Sequence, residues 1–224
     1  MNHSDDPDRR PIPVRDRRLS RALCHGLIRM GISSNAISLF GLFAGVAGGV
    51  LLALSSSVAW ETAALLVAAV LIPLRLLANM LDGMVAVATE KTTRVGELYN
   101  EVPDRLSDAA TLIGAGYAVG GHRLLGWTAA LLAIFVAYVR VQGRLSGADQ
   151  EFCGPMAKPQ RMFALIAGVL YAALAPAAWQ PALEAFDLKG GMIAAVLVVI
   201  IVGSLVTAVR RLERVVHRLK ELDT

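Results

Sequence analysis

The chain has 224 residues, of which 55% are hydrophobic, and its mean hydropathy is +0.56. Its net charge of +4 comes without a basic domain or interleaved basic and aromatic residues outside the apolar blocks. The composition therefore excludes an ordinary soluble domain, and the charge indicates contact with anionic membrane lipid and no nucleic-acid partner.

The N-terminal region divides into two segments. Residues 1–13 are polar and contain prolines, which predicts a disordered cytoplasmic tail. Residues 14–30 place Leu19, Leu23, Leu27 and Met30 at helical spacing, with arginines on the opposite side. This pattern predicts an amphipathic helix that lies in the membrane interface.

Six apolar blocks follow, and each is close to the roughly 20 residues that a helix needs to cross a bilayer. We therefore predict an all-α integral membrane protein, with six transmembrane helices over residues 31–209 and a basic cytoplasmic tail over 210–224. The blocks are residues 35–54, 60–88, 97–119, 124–142, 162–179 and 191–209.

The basic residues predict the orientation of the chain. They concentrate in the N-terminal region, in every second connection and after residue 209. Under the positive-inside rule, both termini are cytoplasmic. The predicted location is a bacterial inner membrane, with the polar residues described next facing the cytoplasm. Cys24 and Cys153 lie on that side, where a structural disulfide is not expected.

Residues 77–108 interrupt the apolar pattern with acids, amides and Pro103, which predicts a helix kink. A charged side chain within a span is costly, so these acids must face water, a metal ion or cationic partners. Of them, Glu101 is expected to be solvated or paired with an arginine. The others are Asp82, Glu97, Asp104 and Asp108.

The spacing of these polar residues predicts a metal site between two helices. Asn79 and Asp82 are three residues apart, and Asn100, Asp104 and Asp108 follow one another in steps of four, so each set shares one helical face. Oxygen donors of this kind suit Mg²⁺ or Mn²⁺. Beside Asp82, Gly83 and Ala86 leave a groove for a helix or a flat ligand.

The same stretch resembles the signature of the CDP-alcohol phosphotransferases, D-x2-D-G-x2-A-R-x8-G-x3-D-x3-D. Weaker resemblances include "SSNAISLFG", "AYVRVQGR" and "GPMAKPQRM". The departures are amides at two of the four acidic positions and Val87 in place of the family arginine. The matching positions are Asn79, Asp82, Gly83, Ala86, Gly96, Asn100 and Asp104.

The resemblance implies that the protein transfers a phosphatidyl group from CDP-diacylglycerol to a polar alcohol and releases CMP. It implies a binuclear Mg²⁺ or Mn²⁺ centre, with Asp82 as a ligand and Asp104 as a ligand and general base. Gly83, Ala86 and Gly96 would contact the nucleotide. Because the amides at 79 and 100 carry no charge, the expected number of ions is one or two, and Asp108 or Glu97 are candidates for restoring the lost charge.

Basic residues near the predicted site are candidates for binding phosphate. These are Arg140, Lys158 and Arg161, and together they favour a phosphorylated acceptor. Arg75 and Arg144 are expected to extend to the membrane interface. The family is often dimeric, and the small-residue stretch "GLFAGVAGG" permits helix contact between two copies.

Two other functions stay open. The chain could bind CDP-linked lipid as a regulatory or accessory protein without turnover, because two family acids are amides. Alternatively, six spans with acids inside the membrane could form a small transporter. The clustering of charged residues at one membrane side, with no repeat between the two halves of the chain, disfavours the transporter.

Overall fold

The computed structural model describes residues 18–89, 94–148, 151–185 and 188–222. A short 3-10 turn, Ala177–Trp179, and an antiparallel hairpin of β1 (Leu183–Ala185) and β2 (Leu188–Gly190) precede the last helix. The predicted tail, residues 1–13, lies outside the described residues. The helices are α1 (Arg18–Arg29), α2 (Ser34–Leu54), α3 (Glu61–Ala88), α4 (Arg94–Tyr117), α5 (Arg123–Leu145), α6 (Lys158–Leu174) and α7 (Met192–Leu222).

Four of these helices, α2, α3, α5 and α7, are long and apolar enough to cross a membrane. The other two long helices of the bundle do not meet this condition of length and apolar composition, each for its own reason. Helix α4 carries the charged residues of the polar stretch, and α6 has only 17 residues. Large apolar side chains such as Leu131 and Val202 point outward, at 68% and 56% exposure. The protein is an integral membrane protein with an all-helical bundle.

At the end of the bundle that carries the polar residues, helix α2 lies between α3 and α4. Its glycines permit close contact, because a Cβ on Gly41 would meet Ala78 of α3 and one on Gly45 would meet Ser107 of α4. Gly49 lies directly against the backbone of Ala110. The small-residue stretch that we considered for dimer contact is therefore used inside the chain.

The apolar core fills the end of the bundle opposite the polar residues. Helices α2 to α7 all contribute to it. Because this core fixes the helices at one end, the polar groups at the other end are held by a packed scaffold. Its fully buried members include Leu52, Leu65, Leu112, Ala129, Leu165 and Leu197.

Helix α1 packs beside α3 through Cys24, with Leu27 and Ile28 against the same small cluster. Of the predicted apolar face, Leu19 and Met30 remain 71% and 67% exposed. That exposure fits a helix whose remaining apolar side meets lipid. Gly31, at φ 70°, follows the end of the helix in the left-handed conformation that glycine adopts readily.

Two helix boundaries differ from the prediction. Helix α6 ends at Leu174, before Pro176, and Gln180 then donates to the carbonyl oxygens of Ala172 and Ala175 at 3.1 Å each. Helix α7 continues through the predicted tail to Leu222. Both cysteines are free, as expected.

Candidate functional site

The two predicted polar rows face each other at one end of the bundle. The last turns of α3 carry Asn79 and Asp82, and the first half of α4 carries Asn100 and Asp104. A cleft between them is lined at the same level by the start of α2. The lining residues are Ser38, Gly41, Leu42, Arg75, Asn79, Asp82, Asn100, Pro103 and Asp104.

Asp104 is the most heavily bonded acid of the cleft. Its Oδ1 accepts from Asn79 Nδ2 at 2.6 Å and from Arg75 Nη2 at 3.0 Å, and its Oδ2 is paired with Lys158 Nζ. Arg105 lies 3.7 Å from Oδ2. Both carboxylate oxygens are therefore engaged by donors from three helices, which makes Asp104 the centre of the site.

The two amides at the family acid positions are bonded to each other, and Asn79 is also bonded to Lys158. Asn79 Nδ2 also donates to Asn100 Oδ1 at 3.2 Å, and Lys158 Nζ donates to Asn79 Oδ1 at 3.3 Å. Lys158 is the first residue of α6, and its side chain is 14% exposed. An ammonium group thus lies among the side chains that occupy the acidic positions of the family signature.

Asp82 lies apart from this network. Its Oδ2 accepts a hydrogen bond of 2.7 Å from Ser38 Oγ, and Ser34 Oγ donates to its backbone oxygen at 2.9 Å. Its Oδ1 is buried and has no hydrogen-bond partner among the described residues. A buried carboxylate oxygen without a donor is costly, so this atom marks a place for a cationic or protic ligand.

Asp108 does not join the cleft, although its spacing places it on the same face as Asp104. Arg75 Nη2 lies 2.8 Å from its Oδ1, and Arg161 Nη2 lies 3.9 Å from its Oδ2. The carboxylate is therefore neutralised by two buried arginines. The prediction of Asp108 as a metal ligand is not supported by this arrangement.

The three predicted phosphate binders have different surroundings. Lys158 bonds Asp104 and Asn79, which line the cleft, whereas Arg140 pairs with Glu101 at 2.8 Å and lies over the ring of Phe152. Arg161 is 1% exposed, and its Nη1 donates to the carbonyl oxygen of Met156. Arg161 thus braces the segment before α6 instead of facing the cleft. The side chain of Glu97 lies outside the described residues.

Helix α7 holds the segment that carries Lys158. Thr207 Oγ1 accepts from Met156 N at 3.0 Å, and Arg211 donates to the carbonyl oxygens of Cys153 and Val136 at 3.0 Å each. Gly154, at φ 113°, lies directly against Thr207, where no other side chain fits. These contacts fix the start of α6 and hence the position of the ammonium group.

Comparison with known proteins identifies the family. Residues 32–209 match the CDP-alcohol phosphatidyltransferase family model. The chain belongs to this family. The match spans more than half of the chain and includes all the cleft residues described above.

Characterised relatives from two domains of life are similar to this chain. A phosphatidylinositol phosphate synthase from Mycobacterium marinum is 28% identical over 172 residues, covering 74% of this chain and 70% of the relative. An archaetidylinositol phosphate synthase from Pyrococcus horikoshii is 26% identical over 152 residues, covering 66% and 74%. Both names describe synthesis of an inositol phosphate lipid.

Solved structures of the Mycobacterium tuberculosis phosphatidylinositol phosphate synthase share this fold. The structure with CDP-DAG bound has a TM-score of 0.70 at 21% identity, covering 89% of this chain and 94% of that chain. The complex with manganese and citrate has a TM-score of 0.69 at 21% identity, covering 87% of each chain.

The oxygens of the cleft differ in how far protein donors already engage them. Within the described ranges, no three His, Cys, Asp or Glu side chains form a group that could hold a metal. Asp82 has a carboxylate oxygen without a donor, which suits a hard cation. At Asp104, by contrast, the donors of Asn79, Arg75 and Lys158 already engage both oxygens.

Sequence reasoning missed the roles of Arg75, Thr207 and Arg211. We expected Arg75 to extend to the interface, but it is 2% exposed and bonds Ser107 and Asp104. An arginine one helical turn before Asn79, within an apolar span, was the available signal. Thr207 and Arg211 act on a loop that is more than 50 residues away in the chain, which no local pattern reveals.

Proposed function

We propose that the protein transfers the phosphatidyl group of CDP-diacylglycerol to a polar alcohol and releases CMP. The observation that carries the proposal is that Asp82 and Asp104 line one cleft at one end of the bundle, with Lys158 paired to Asp104. Membership of the CDP-alcohol phosphatidyltransferase family and the CDP-DAG complex of a relative support the same donor.

In the proposed reaction, the alcohol oxygen bonds to the lipid-linked phosphorus of the pyrophosphate. The bond from that phosphorus to the bridging oxygen breaks, and CMP leaves with the bridging oxygen. Asp104 accepts the proton of the alcohol, and Lys158 stabilises negative charge on the phosphates. Gly83, Ala86 and Gly96 let the nucleotide approach the helix backbone.

A divalent ion, Mg²⁺ or Mn²⁺, would be held by Asp82 through Oδ1, because the amide oxygens of Asn79 and Asn100 already accept hydrogen bonds from Lys158 and Asn79. When bound, such an ion would supply positive charge beside the pyrophosphate. The manganese complex of the mycobacterial relative supports this choice of cofactor class. Ser38 keeps the carboxylate of Asp82 oriented toward the cleft by its hydrogen bond.

The acceptor is proposed to be a phosphorylated alcohol. Lys158 is paired with Asp104 of the cleft, and Arg140 is in an ion pair with Glu101 that a phosphate can compete for. The similar proteins named above make inositol phosphate lipids, which makes an inositol phosphate the first acceptor to test.

We also propose the membrane arrangement. Helices α2 to α7 form six spans, with both termini and the cleft on the cytoplasmic side of a bacterial inner membrane. The residues of the cleft share their end of the bundle with α1 and with the basic last turns of α7. This placement leaves the acyl chains in lipid while nucleotide and acceptor arrive from water, and α1 lies in the interface beside the mouth.

Purified protein in detergent should release CMP from CDP-diacylglycerol with one member of an acceptor panel: glycerol phosphate, inositol phosphate, inositol and serine. Release should need Mg²⁺ or Mn²⁺ and stop with chelator. Asp104→Asn should reduce the rate about 100-fold or more, because it removes the proton acceptor. Glu61→Gln, at the exposed far end of α3, is the control and should keep the wild-type rate.

A second function has specific support from the cleft. The amides of Asn79 and Asn100 and the lysine paired with Asp104 reduce the charge available for metal, which fits a relative that binds CDP-linked lipid without turnover. Retained CDP-diacylglycerol with no CMP release under any acceptor would favour this function over the transferase.

A further inference from the structure

We propose that the ammonium group of Lys158 takes the place of one divalent ion, so that the site holds at most one such ion, at Asp82. The inference deepens the proposed function because it concerns the same cleft. It does not depend on turnover, since it describes which cations the cleft contains.

The first step is the position of the lysine. Its Nζ bonds a carboxylate oxygen of Asp104 and, at 3.3 Å, the amide oxygen of Asn79. Both oxygens belong to positions that are acidic in the family signature. A lysine ammonium is a compact charge with three donors, so it can satisfy several oxygens that would otherwise need a metal.

The second step is the direction of the amides. The NH₂ group of Asn79 donates hydrogen bonds to Asp104 and to Asn100, so the side-chain oxygen of Asn100 accepts a hydrogen bond from within the protein. Asn79 and Asp104 therefore form a network with Lys158, and Asn100 joins it through Asn79. The carboxylate oxygens of Asp104 and the amide oxygens of Asn79 and Asn100 all accept from protein donors.

The third step is electrostatic. Relative to a site with carboxylates at all four positions, the cleft lacks two negative charges at Asn79 and Asn100, and Lys158 places one positive charge beside them. Arg75 adds a further buried positive charge beside Asp104. A second divalent ion next to Lys158 would meet strong repulsion in this poorly solvated place, whereas Asp82 retains an open oxygen.

The fourth step is that Lys158 is held in place. The residues before it are anchored to α7 by the hydrogen bonds of Thr207 and Arg211, and Arg161 bonds the carbonyl oxygen of Met156. The start of α6 is consequently fixed relative to Asp104. The pairing of Lys158 with Asp104 is therefore held by the packing of the helices and is not a surface contact.

Manganese binding to the wild-type protein tests the inference directly. The purified protein in detergent is titrated with Mn²⁺, and bound ions are counted per chain while electron paramagnetic resonance records their signal. We expect no more than one tightly bound ion with the spectrum of an isolated Mn²⁺. Two bound ions per chain with an exchange-coupled spectrum would overturn the proposal.

A variant tests the role of Lys158 in the same assay. Asn79→Asp, Asn100→Asp and Lys158→Met together restore the four acids and remove the ammonium group, so we expect a second ion and an exchange-coupled signal, whereas Asn79→Asp with Asn100→Asp, which keeps Lys158, should still bind one ion. A folded triple variant that still binds one ion would contradict the role assigned to Lys158. Lys189→Met, in the exposed hairpin, is the matched control and should bind as wild type.

The two proposals fail in different ways. If no acceptor supports CMP release but the Mn²⁺ count is one or less, the transferase fails and the inference about Lys158 stands. If CMP is released and two coupled ions are present, the transferase stands and the inference fails.

Discussion

Arg75 is the charged residue that connects the site to the interior of the bundle. It is 2% exposed, and it links Ser107, Asp104 and Asp108 across α3 and α4. Because all its partners are on α4, it fixes the relative position of the two helices that carry the cleft. It does so without lying among the positions of the family signature.

Arg75→Met should strongly destabilise the protein. The variant keeps the volume of the side chain but leaves Asp104 and Asp108 with a buried charge that has lost a partner, which costs about 3–5 kcal/mol. We expect the thermal midpoint in detergent to fall by about 10 °C. Arg218→Met, at a side chain that is 55% exposed, should stay close to wild type.

The double variant Arg75→Met with Asp108→Asn provides the critical comparison. Removing the charge of Asp108 should restore part of the lost midpoint, since one uncompensated carboxylate is gone. A double variant less stable than Arg75→Met alone would show that the ion pair is not the reason for the loss.

The residues of the site were partly predictable from the sequence. Asn79, Asp82, Asn100 and Asp104 lie together because helical spacing fixes which residues share a face. Asp108 shares that face but bonds Arg75 and Arg161 instead, and the distinction depends on basic residues from two other helices. Spacing within one helix contains no information about such partners.

At the scale of elements, the cleft depends on the close approach of α2 and α4. Gly49 and Gly114 bring the two backbones into direct contact, and neither position has room for a Cβ. Thr111 adds a hydrogen bond of 3.2 Å to the carbonyl oxygen of Gly45. This contact sets how near the first half of α4, with Asp104, comes to Ser38 on α2.

Gly49→Ala and Gly114→Ala should each lower stability, because a methyl group forces the helices apart at a cost of about 1–3 kcal/mol. The measurement is the thermal midpoint in detergent. Gly26→Ala on α1 is the matched control, since no atom lies within 4 Å of its added Cβ. Equal midpoints for all three variants would contradict the importance of the contact.

The apolar blocks predicted the helices, but they did not predict where the helices end or that a hairpin precedes α7. Helix α6 ends early because Pro176 and Gln180 belong to a turn, and β1 and β2 pair with each other through backbone groups. Helix α7 continues to Leu222 because Ala208, Arg211 and Val215 are buried against the bundle. Charge composition alone had indicated a tail there.

For the whole molecule, the packed apolar core and the polar cleft lie at opposite ends of the bundle. The proposed orientation puts the cleft in the cytoplasm. Fluorescent-protein fusions after residue 224 should therefore fluoresce, and alkaline phosphatase should be active when fused in the connection between α4 and α5 near Gly121. Active phosphatase at the C-terminal fusion would contradict the proposed cytoplasmic C-terminus.

The family could be recognised from the sequence because the spacing of its signature is retained, although amides replace two of the four acids. The partners of its acids could not be predicted in the same way, since one cation paired with Asp104 is Lys158, 54 residues further along the chain. Only the fold brings the start of α6 to the first half of α4. The proposal that the cleft holds at most one divalent ion depends on that contact.

The most direct test of the account is the lipid product. Wild-type protein and Asp104→Asn are incubated with CDP-diacylglycerol, inositol phosphate and Mg²⁺, and lipids are analysed by mass spectrometry alongside CMP. The account predicts a new phosphodiester lipid, formed in equal amount to CMP by the wild type and lost in the variant. Unchanged CDP-diacylglycerol with every acceptor of the panel, or equal product from the variant, would contradict it.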